Sequence, residues 1–427
     1  MLDIKYIRAE PEAVKAGAAK KRIPLDLDAI LVLDKEVREA GVAIDDMRNR
    51  QKTASKRIGE APAADRPKLA EEQKAEKAAL QEREKELTAL QARLRELLLR
   101  VPNVPAAEVP EGKDDSENVE IKKWGTPRNF DFEPKDHIAL GEQNDWIDVE
   151  RGARIAGSRN YFLKGDLSLL EGAVMRYALD RMVKKGFLPM SVPTLVRREV
   201  MVGTGYFPGG EDQAYRCDDR DDLVLVGTAE VPVTAYHQDE ILDLKSLPRK
   251  YVALSSCYRR EAGTYGKDTR GLYRVHQFQK VEQVVIDVAD AAVSLAHHHD
   301  IVKNAEEVLQ ALELPYRIVN VCGGDLGAPQ IQKFDIETWM PSRKNYGETH
   351  SASRFHEYQA RRLDIRYRDG QGTVRVCHTL NNTVAASVRM LIALIENHQE
   401  SDGSVRLPKA LWPYMDGRER IGGATGR

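Results

Sequence analysis

The sequence predicts an α+β protein: an antiparallel sheet flanked by helices, preceded by a long helical hairpin. Three observations carry this prediction. Apolar residues recur at heptad spacing through two long segments near the N-terminus. Beyond a proline-rich acidic break, short β-rich runs cluster between turn signals without the regular strand–helix alternation of a doubly wound sheet. The composition, 42% hydrophobic and 31% charged in 427 residues, is that of an ordinary soluble chain with room for two or three domains.

The hairpin comes first. Apolar or small residues fall three or four apart at Ile30, Leu33, Val37, Ala40, Ile44, Met47, Ala54 and Ile58, with one polar slot at Gln51. After the break "GEAPAADRP" a second seam runs through Leu69, Leu80, Leu87, Leu90, Leu94 and Leu97, its other slots filled by Gln73, Glu76 and Arg83. Two helices of similar length around a short proline-bearing turn read as an antiparallel coiled coil, an arm roughly 40 to 50 Å long. Periodicity alone fits a dimerisation or spacer device equally well. Charge favours another use: Arg48, Arg50, Lys52, Lys56 and Arg57 follow one another near the tip with no acidic residue between Met47 and Gly59. A basic tip on a long lever suits a phosphate backbone.

The stretch "VPNVPAAEVPEGKDDSEN" then reads as a linker, and a second domain starts at about Asn118. Here "LVLVGTAEVPV", "KYVALSSCY" and "HQFQKVEQVVIDV" read as strands, and "LSLLEGAVMRYALDRMVKKG" as a helix. Neither GxxxxGK[ST] nor GxGxxG occurs; "GTGYFPGG" has the wrong spacing for either.

Several classes are disfavoured. No run of about 18 apolar residues suggests a membrane span, and the N-terminus lacks a signal-peptide core, so a cytoplasmic location is expected. Cys217, Cys257, Cys322 and Cys377 are far apart, which predicts reduced thiols and no structural zinc. A net charge of −2 does not advertise a nucleic-acid binder. His297, His298 and His299 point about 100° apart on a helix, so they read as a solvated helix surface, not a metal site.

Chemistry concentrates in "SSCYRREAGTYGKDTRGLYRVHQFQKVEQ". Laid out as strands over about 251–259 and 274–286, it places Arg259 and Glu261 on one parity and Phe278, Lys280 and Glu282 on another shared face. An arginine fork, a carboxylate and an aromatic face describe a site for an anion joined to a heteroaromatic ring. A surface hairpin whose charges pair with one another fits the same pattern. "GTAE" adds a hydroxyl and a carboxylate at a strand end, and "YGETHSAS" sets Glu348 and Ser351 three apart, hard oxygens suited to magnesium. "HTLNNTVAASVRMLIALIENHQ" runs from Asn381, Asn382 and Thr383 into an apolar helix that carries Arg389.

With these pieces in order, the sequence resembles the seryl-tRNA synthetases, which are class II aminoacyl-tRNA synthetases. The resemblance spans essentially the whole chain, from "MLDIKYIR" through "TAEVPVTAYHQDEIL", "YRREAGTYGKDTRGLYRVHQF" and "YQARR" to "ENHQESDGSVRLPKALWPYM". It implies a tRNA-binding domain over residues 1–105 with its arm at about 27–100, a linker at 106–117 and a catalytic domain over 118–427. It also implies a homodimer formed partly through the region of "SVPTLV". The activity implied is ATP-dependent activation of L-serine and its transfer to tRNA(Ser) and the selenocysteine tRNA, with Mg2+ as cofactor.

The resemblance assigns roles residue by residue. Arg259 and Arg389 are the catalytic pair. ATP is implied to lie against Arg259, Arg260, Glu261, Val275, His276, Gln277, Phe278, Glu348, Thr349, His350, Ser351 and Arg389, with adenine between Phe278 and Arg389. Glu348 and Ser351 match the magnesium pair. Thr228, Ala229, Glu230, Arg259, Glu282, Asn381 and Thr383 form the implied serine cradle. Arg48, Arg50, Lys52, Lys56 and Arg57 meet tRNA at the arm; Lys267, Asp268, Arg270 and Arg274 are expected to face its acceptor end. Arg260 stands where the family often has serine, "ETHSAS" replaces a serine-cysteine-serine run, and "NNTV" replaces a glycine-serine-glycine turn. Two rivals remain: a paralogue that passes the activated amino acid to another acceptor, and an inactive coiled-coil scaffold. The full-length basic arm disfavours the first, and the retained pocket residues disfavour the second.

Overall fold

The computed structural model describes the chain apart from Ala61, Ala63, Asp219 and residues 264–269 and 424–427. The chain divides into two compact units, one made of Leu2–Ala19 and Ile23–Pro102, the other of Met1, Lys20–Arg22 and Asn103–Arg427.

In the first unit α1 (Ile4–Ala9) and α2 (Pro11–Lys20) precede two long helices, α3 (Leu27–Glu60) and α4 (Arg66–Leu98). Asp3 starts α1 by accepting from Lys5 N–H, and Pro67 lies in the first turn of α4, where its missing N–H costs nothing. α3 and α4 pack against each other along the expected seam: Ile30, Leu33 and Ile44 are buried on α3 and Leu80 and Leu94 on α4, while Leu27 and Leu98, outside the expected seam, are buried as well. Two expected slots on α4 differ. Glu76 and Arg83 are exposed, and Glu84 turns toward the seam instead. Steps of three and four both keep a seam, and the choice goes to the residue with a partner: Arg48 of α3 donates twice to Glu84 Oε1, at 2.8 and 3.1 Å. Arg50, Lys52, Lys56 and Arg57 are exposed.

The second unit is built on an eight-stranded sheet. Its strands are β1 (Val119–Trp124), β2 (Leu188–Met190), β3 (Arg249–Tyr258), β4 (Gln277–Asp287), β5 (Tyr316–Asn320), β6 (Gln332–Met340), β7 (Asn345–His356) and β8 (His378–Ala386). They lie in the order β1-β5-β6-β7-β8-β4-β3-β2, antiparallel throughout except for the short edge strand β2, which runs parallel to β3. α5 (Gly165–Lys184), α6 (Ala291–Ala311) and α7 (Ser387–Asn397) pack on the sheet. Val281 and Val285 of β4 join Leu170, Val174, Ile301, Leu391 and Ile395 in the main core. Between the two valines, Gln283 Nε2 donates to Ile301 O, as does Asn382 Nδ2 from β8. Alternation therefore sends Phe278, Lys280 and Glu282 to the opposite face of β4.

Four expectations are corrected here. "LVLVGTAEVPV" is not one strand: the strand ends at Leu225, with one further bond from Val226 N–H to Thr194 O, and Glu230–Thr234 is a helical turn. Thr228 Oγ1 accepts from Glu230 N–H at 3.1 Å, a local bond that turns the backbone out of the ladder. The histidine triplet is a solvated surface only at His299, which is exposed. His298 is fully buried, stacks on Phe334 and donates from Nε2 to Ala352 O, while His297 pairs with Asp287. Asn381 to Thr383 belong to β8 and form no turn. The segment 106–117 packs within the second unit through buried Val109, and Gly323 N–H donates to Pro110 O.

Candidate active site

A cavity of about 760 Å3, its open mouth included, lies on the sheet face that carries Phe278, Lys280 and Glu282. β3 and β4 bring one wall. Their register sets Phe278 opposite Cys257, Lys280 opposite Ser255 and Glu282 opposite Ala253. β3 ends at Tyr258, so Arg259 and Glu261 share the cavity by a turn and not by strand alternation: Arg259 N–H donates to His276 O at 2.9 Å, and Glu261 adopts φ +52°. The Arg259 guanidinium lies 5.4 Å from the Phe278 ring centre.

At the inner end stand two buried carboxylates. Glu230 accepts from Tyr206 Oη at 2.7 Å and from Gln359 Nε2 at 2.8 Å; Gln359 in turn accepts from Thr379 Oγ1 at 2.7 Å. Glu282 pairs with Lys280 Nζ and accepts from Thr383 Oγ1 at 3.2 Å, directly across the β4–β8 ladder. Burial raises the pKa of both carboxyls; the Glu282 charge raises Glu230 further, while Lys280 is the main offset at Glu282.

At the other end, α7 presents Arg389. It donates from Nη1 to Glu348 O at 2.8 Å and Oε2 at 3.2 Å, and its guanidinium lies 4.6 Å from the Tyr273 ring centre. The Glu348 carboxyl is held below its ordinary pKa. Burial opposes this, but the charges of Arg389, Lys333 and Arg259 together outweigh it. Glu348 and Ser351, an odd three apart, nevertheless share a face. Asp335 pairs with Ser351, Ile336 with His350 and Glu337 with Glu348, so Thr349 is an extra, bulged residue that restores the parity.

Not every expected residue lines the cavity. Arg260 is exposed and stacks 5.7 Å from the Tyr215 ring centre, while its N–H donates to Gln213 O. His276 uses its backbone carbonyl and Nδ1 on the Arg259 backbone, and Gln277 is exposed. Thr228, Ala229 and Asn381 are buried but absent from the wall, whereas Val275 and Thr383 belong to it. Thr349 and His350 border the cavity with their polar atoms bonded inside the sheet: His350 Nε2 donates to Val384 O at 3.0 Å and Nδ1 accepts from Thr349 Oγ1 at 2.8 Å. Burial drops the His350 pKa to about 4. Val384 is itself an extra residue in the β4–β8 register, so His350 takes a carbonyl that the ladder bypasses.

Of the acceptor-end set, Lys267 and Asp268 lie outside the described residues and Arg270 is exposed. Arg274 is a correction: it lines the cavity, with Nη1 3.4 Å from Glu261 Oε2. A pocket carboxylate within reach outcompetes solvent for it. Sequence reasoning also missed Tyr206, Tyr273 and Gln359. Tyr206 sits in "GTGYFPGG", a stretch that yielded no nucleotide motif, and a lone tyrosine there carries no further signal. Among the described residues no group of three or more His, Cys, Asp or Glu could hold a metal ion.

This geometry, an antiparallel sheet whose open face carries an arginine fork, an aromatic face and buried carboxylates, is that of a class II aminoacyl-tRNA synthetase; the family model for the tRNA synthetase class II core domain (G, H, P, S and T) matches residues 215–398. The seryl-tRNA synthetase N-terminal domain matches residues 1–105. A serine–tRNA ligase of Deinococcus radiodurans is 46% identical over 422 residues, covering 99% of both chains. The seryl-tRNA synthetase of Pyrococcus horikoshii, solved complexed with ATP, superposes with TM-score 0.92 at 40% identity, over 99% of this chain and 100% of that one. A cytoplasmic serine–tRNA ligase of Naegleria fowleri in complex with AMP gives 0.88 at 29% identity, over 100% and 99%. The chain belongs to the seryl-tRNA synthetase family.

Proposed function

We propose that the chain activates L-serine with ATP and transfers the seryl group to the 3′ end of tRNA(Ser) and of the selenocysteine tRNA. One observation carries the reading: the two buried carboxylates, Glu230 and Glu282, share a single cavity with Arg259 and Arg389. The carboxylates suit an ammonium group and a hydroxyl; the guanidinium groups suit a triphosphate and a carboxylate.

Serine sits with its ammonium toward Glu230 and its hydroxyl toward the Glu282–Thr383 pair, its carboxylate toward Arg259. Adenine stacks on Phe278, with Glu261 at its amino group. The serine carboxylate oxygen attacks the α-phosphorus in line, the bond to pyrophosphate breaks, and Arg259, Arg274 and Arg389 stabilise the charge that leaves. No side chain has to transfer a proton in this step. A hydroxyl of the terminal tRNA ribose then attacks the acyl carbon and AMP departs.

A magnesium ion fits the remaining donors. The bulge at Thr349 turns Glu348 and Ser351 to one face, and Glu348 is held in the carboxylate form that a hard cation needs. Bound there, the ion would neutralise phosphate charge. Two protein oxygens suffice because Mg2+ normally takes its other ligands from phosphates and water.

In this reading residues 1–105 bind tRNA through Arg50, Lys52, Lys56 and Arg57, residues 106–117 connect, and 118–427 catalyse, in the cytoplasm. A second copy covers the edge strand β2, whose neighbourhood exposes Leu169, Val183, Leu188 and Leu195. The test is serine-dependent exchange of labelled pyrophosphate into ATP. It should occur and should vanish in Arg259→Ala. Exchange without charging of tRNA(Ser) would favour the paralogue, and no exchange the inactive scaffold.

A further inference from the structure

Glu396 of α7 is fully buried and far along the helix from the cavity, yet it accepts four hydrogen bonds that lead back to it. Two come from His137, N–H at 3.0 Å and Nδ1 at 2.8 Å to Oε1. Two come from Ser342, N–H to Oε2 at 3.0 Å and Oγ to Oε1 at 2.9 Å. With Nδ1 donating to the carboxylate, His137 Nε2 is left as an acceptor, and Leu272 N–H donates to it at 3.2 Å. The tautomer is therefore set by Glu396.

Both branches end on Tyr273. Leu272 precedes it in the chain, and its side chain packs with Val275, Met340, Val388 and Ile392. Ser342 precedes Arg343, whose guanidinium lies 4.2 Å from the Tyr273 ring centre. Arg389, two turns before Glu396 on the same face of α7, lies over that ring as well. Gly271 is shaped to the same contact: it adopts φ +75°, and a Cβ there would stand 2.2 Å from His137 Nε2.

We propose that His137, oriented by Glu396, is a positioning residue for the cavity wall, fixing the backbone at Leu272 so that Tyr273 and Arg274 meet the phosphates of ATP. This rests on the reading of the cavity as the site of serine activation. Side-chain length separates the two bonds. Glutamine reaches the ε position and can accept from Leu272 N–H; asparagine reaches only the δ position, where it can still donate to Glu396. Each variant keeps one of the two bonds, so a purely structural role predicts similar losses for both.

The experiment compares His137→Gln and His137→Asn in the full-length enzyme by amide hydrogen exchange at Leu272 and by KM for ATP and for serine in pyrophosphate exchange. In His137→Asn, Leu272 exchange should rise about tenfold and the ATP KM about five- to tenfold, with the serine KM within about twofold. His137→Gln should stay near wild type in all three. Equal behaviour of the variants, or faster Leu272 exchange with an unchanged ATP KM, overturns the proposal while wild-type exchange stands. Absent pyrophosphate exchange in the wild type overturns the activation reading, and this inference with it.

Discussion

Glu348 and Ser351 face the same cavity although they stand three positions apart, an odd offset, because Thr349 is inserted as a bulge between the pairings Ile336–His350 and Glu337–Glu348. A regular strand would have sent one of the two oxygens into the core. The consequence is a pair of hard donors beside Arg389.

Both oxygens should matter to activation, unequally. Glu348→Ala should lower pyrophosphate exchange by about 10² to 10³, since it removes the anion that Arg389 is paired with as well as a magnesium donor. Ser351→Ala should lose less, and excess Mg2+ should restore part of it. Steady-state exchange rates over a magnesium titration decide this; a Ser351→Ala enzyme indifferent to magnesium contradicts the assignment.

The Glu282–Thr383 pair should set the choice of amino acid. Thr383→Val keeps the volume and leaves Glu282 without that donor, so the serine KM should rise by an amount equivalent to about 1 to 3 kcal/mol, with the ATP KM unchanged. Thr383→Ser should be nearly neutral. Parallel rises in both KM values would place Thr383 outside serine recognition.

His350 should make stability depend on pH. Its folded pKa of about 4 lies below the ordinary histidine value, so between about 4 and 6.5 the unfolded chain binds the proton and the folded protein does not. The stability it contributes is complete above about pH 6.5 and is lost as pH falls toward 4. His350→Gln should therefore melt below wild type at pH 7, with a gap that narrows on acidification. Melting curves across that range check the sign: a gap that widens contradicts it.

The arm divides by partner. Arg48 is tied to Glu84, so Arg48→Ala should act mainly on the stability of the coiled coil. Lys52→Ala with Lys56→Ala and Arg57→Ala should raise the KM for tRNA(Ser) and flatten its salt dependence, leaving pyrophosphate exchange intact. Deleting 33–97 should abolish charging and spare exchange; unchanged charging rules out the arm as a tRNA contact.

By itself the sequence determined most of the elements and most of the wall. Heptad spacing marked the hairpin, and alternation placed Phe278, Lys280 and Glu282 on one face, since both signals are local and periodic. Tertiary structure alone decided the rest. Thr349 and Val384 are bulges, visible only against a partner strand, and they decide which of Glu348, His350 and Ser351 meets the cavity. Arg274 was legible as a loop cation but not as a neighbour of Glu261. The three remote partners Tyr206, Gln359 and Glu396 reach their sites through contacts tens to hundreds of residues away in sequence. A hydrogen bond depends on distance in space, and for these residues only the folded sheet brings donor and acceptor together.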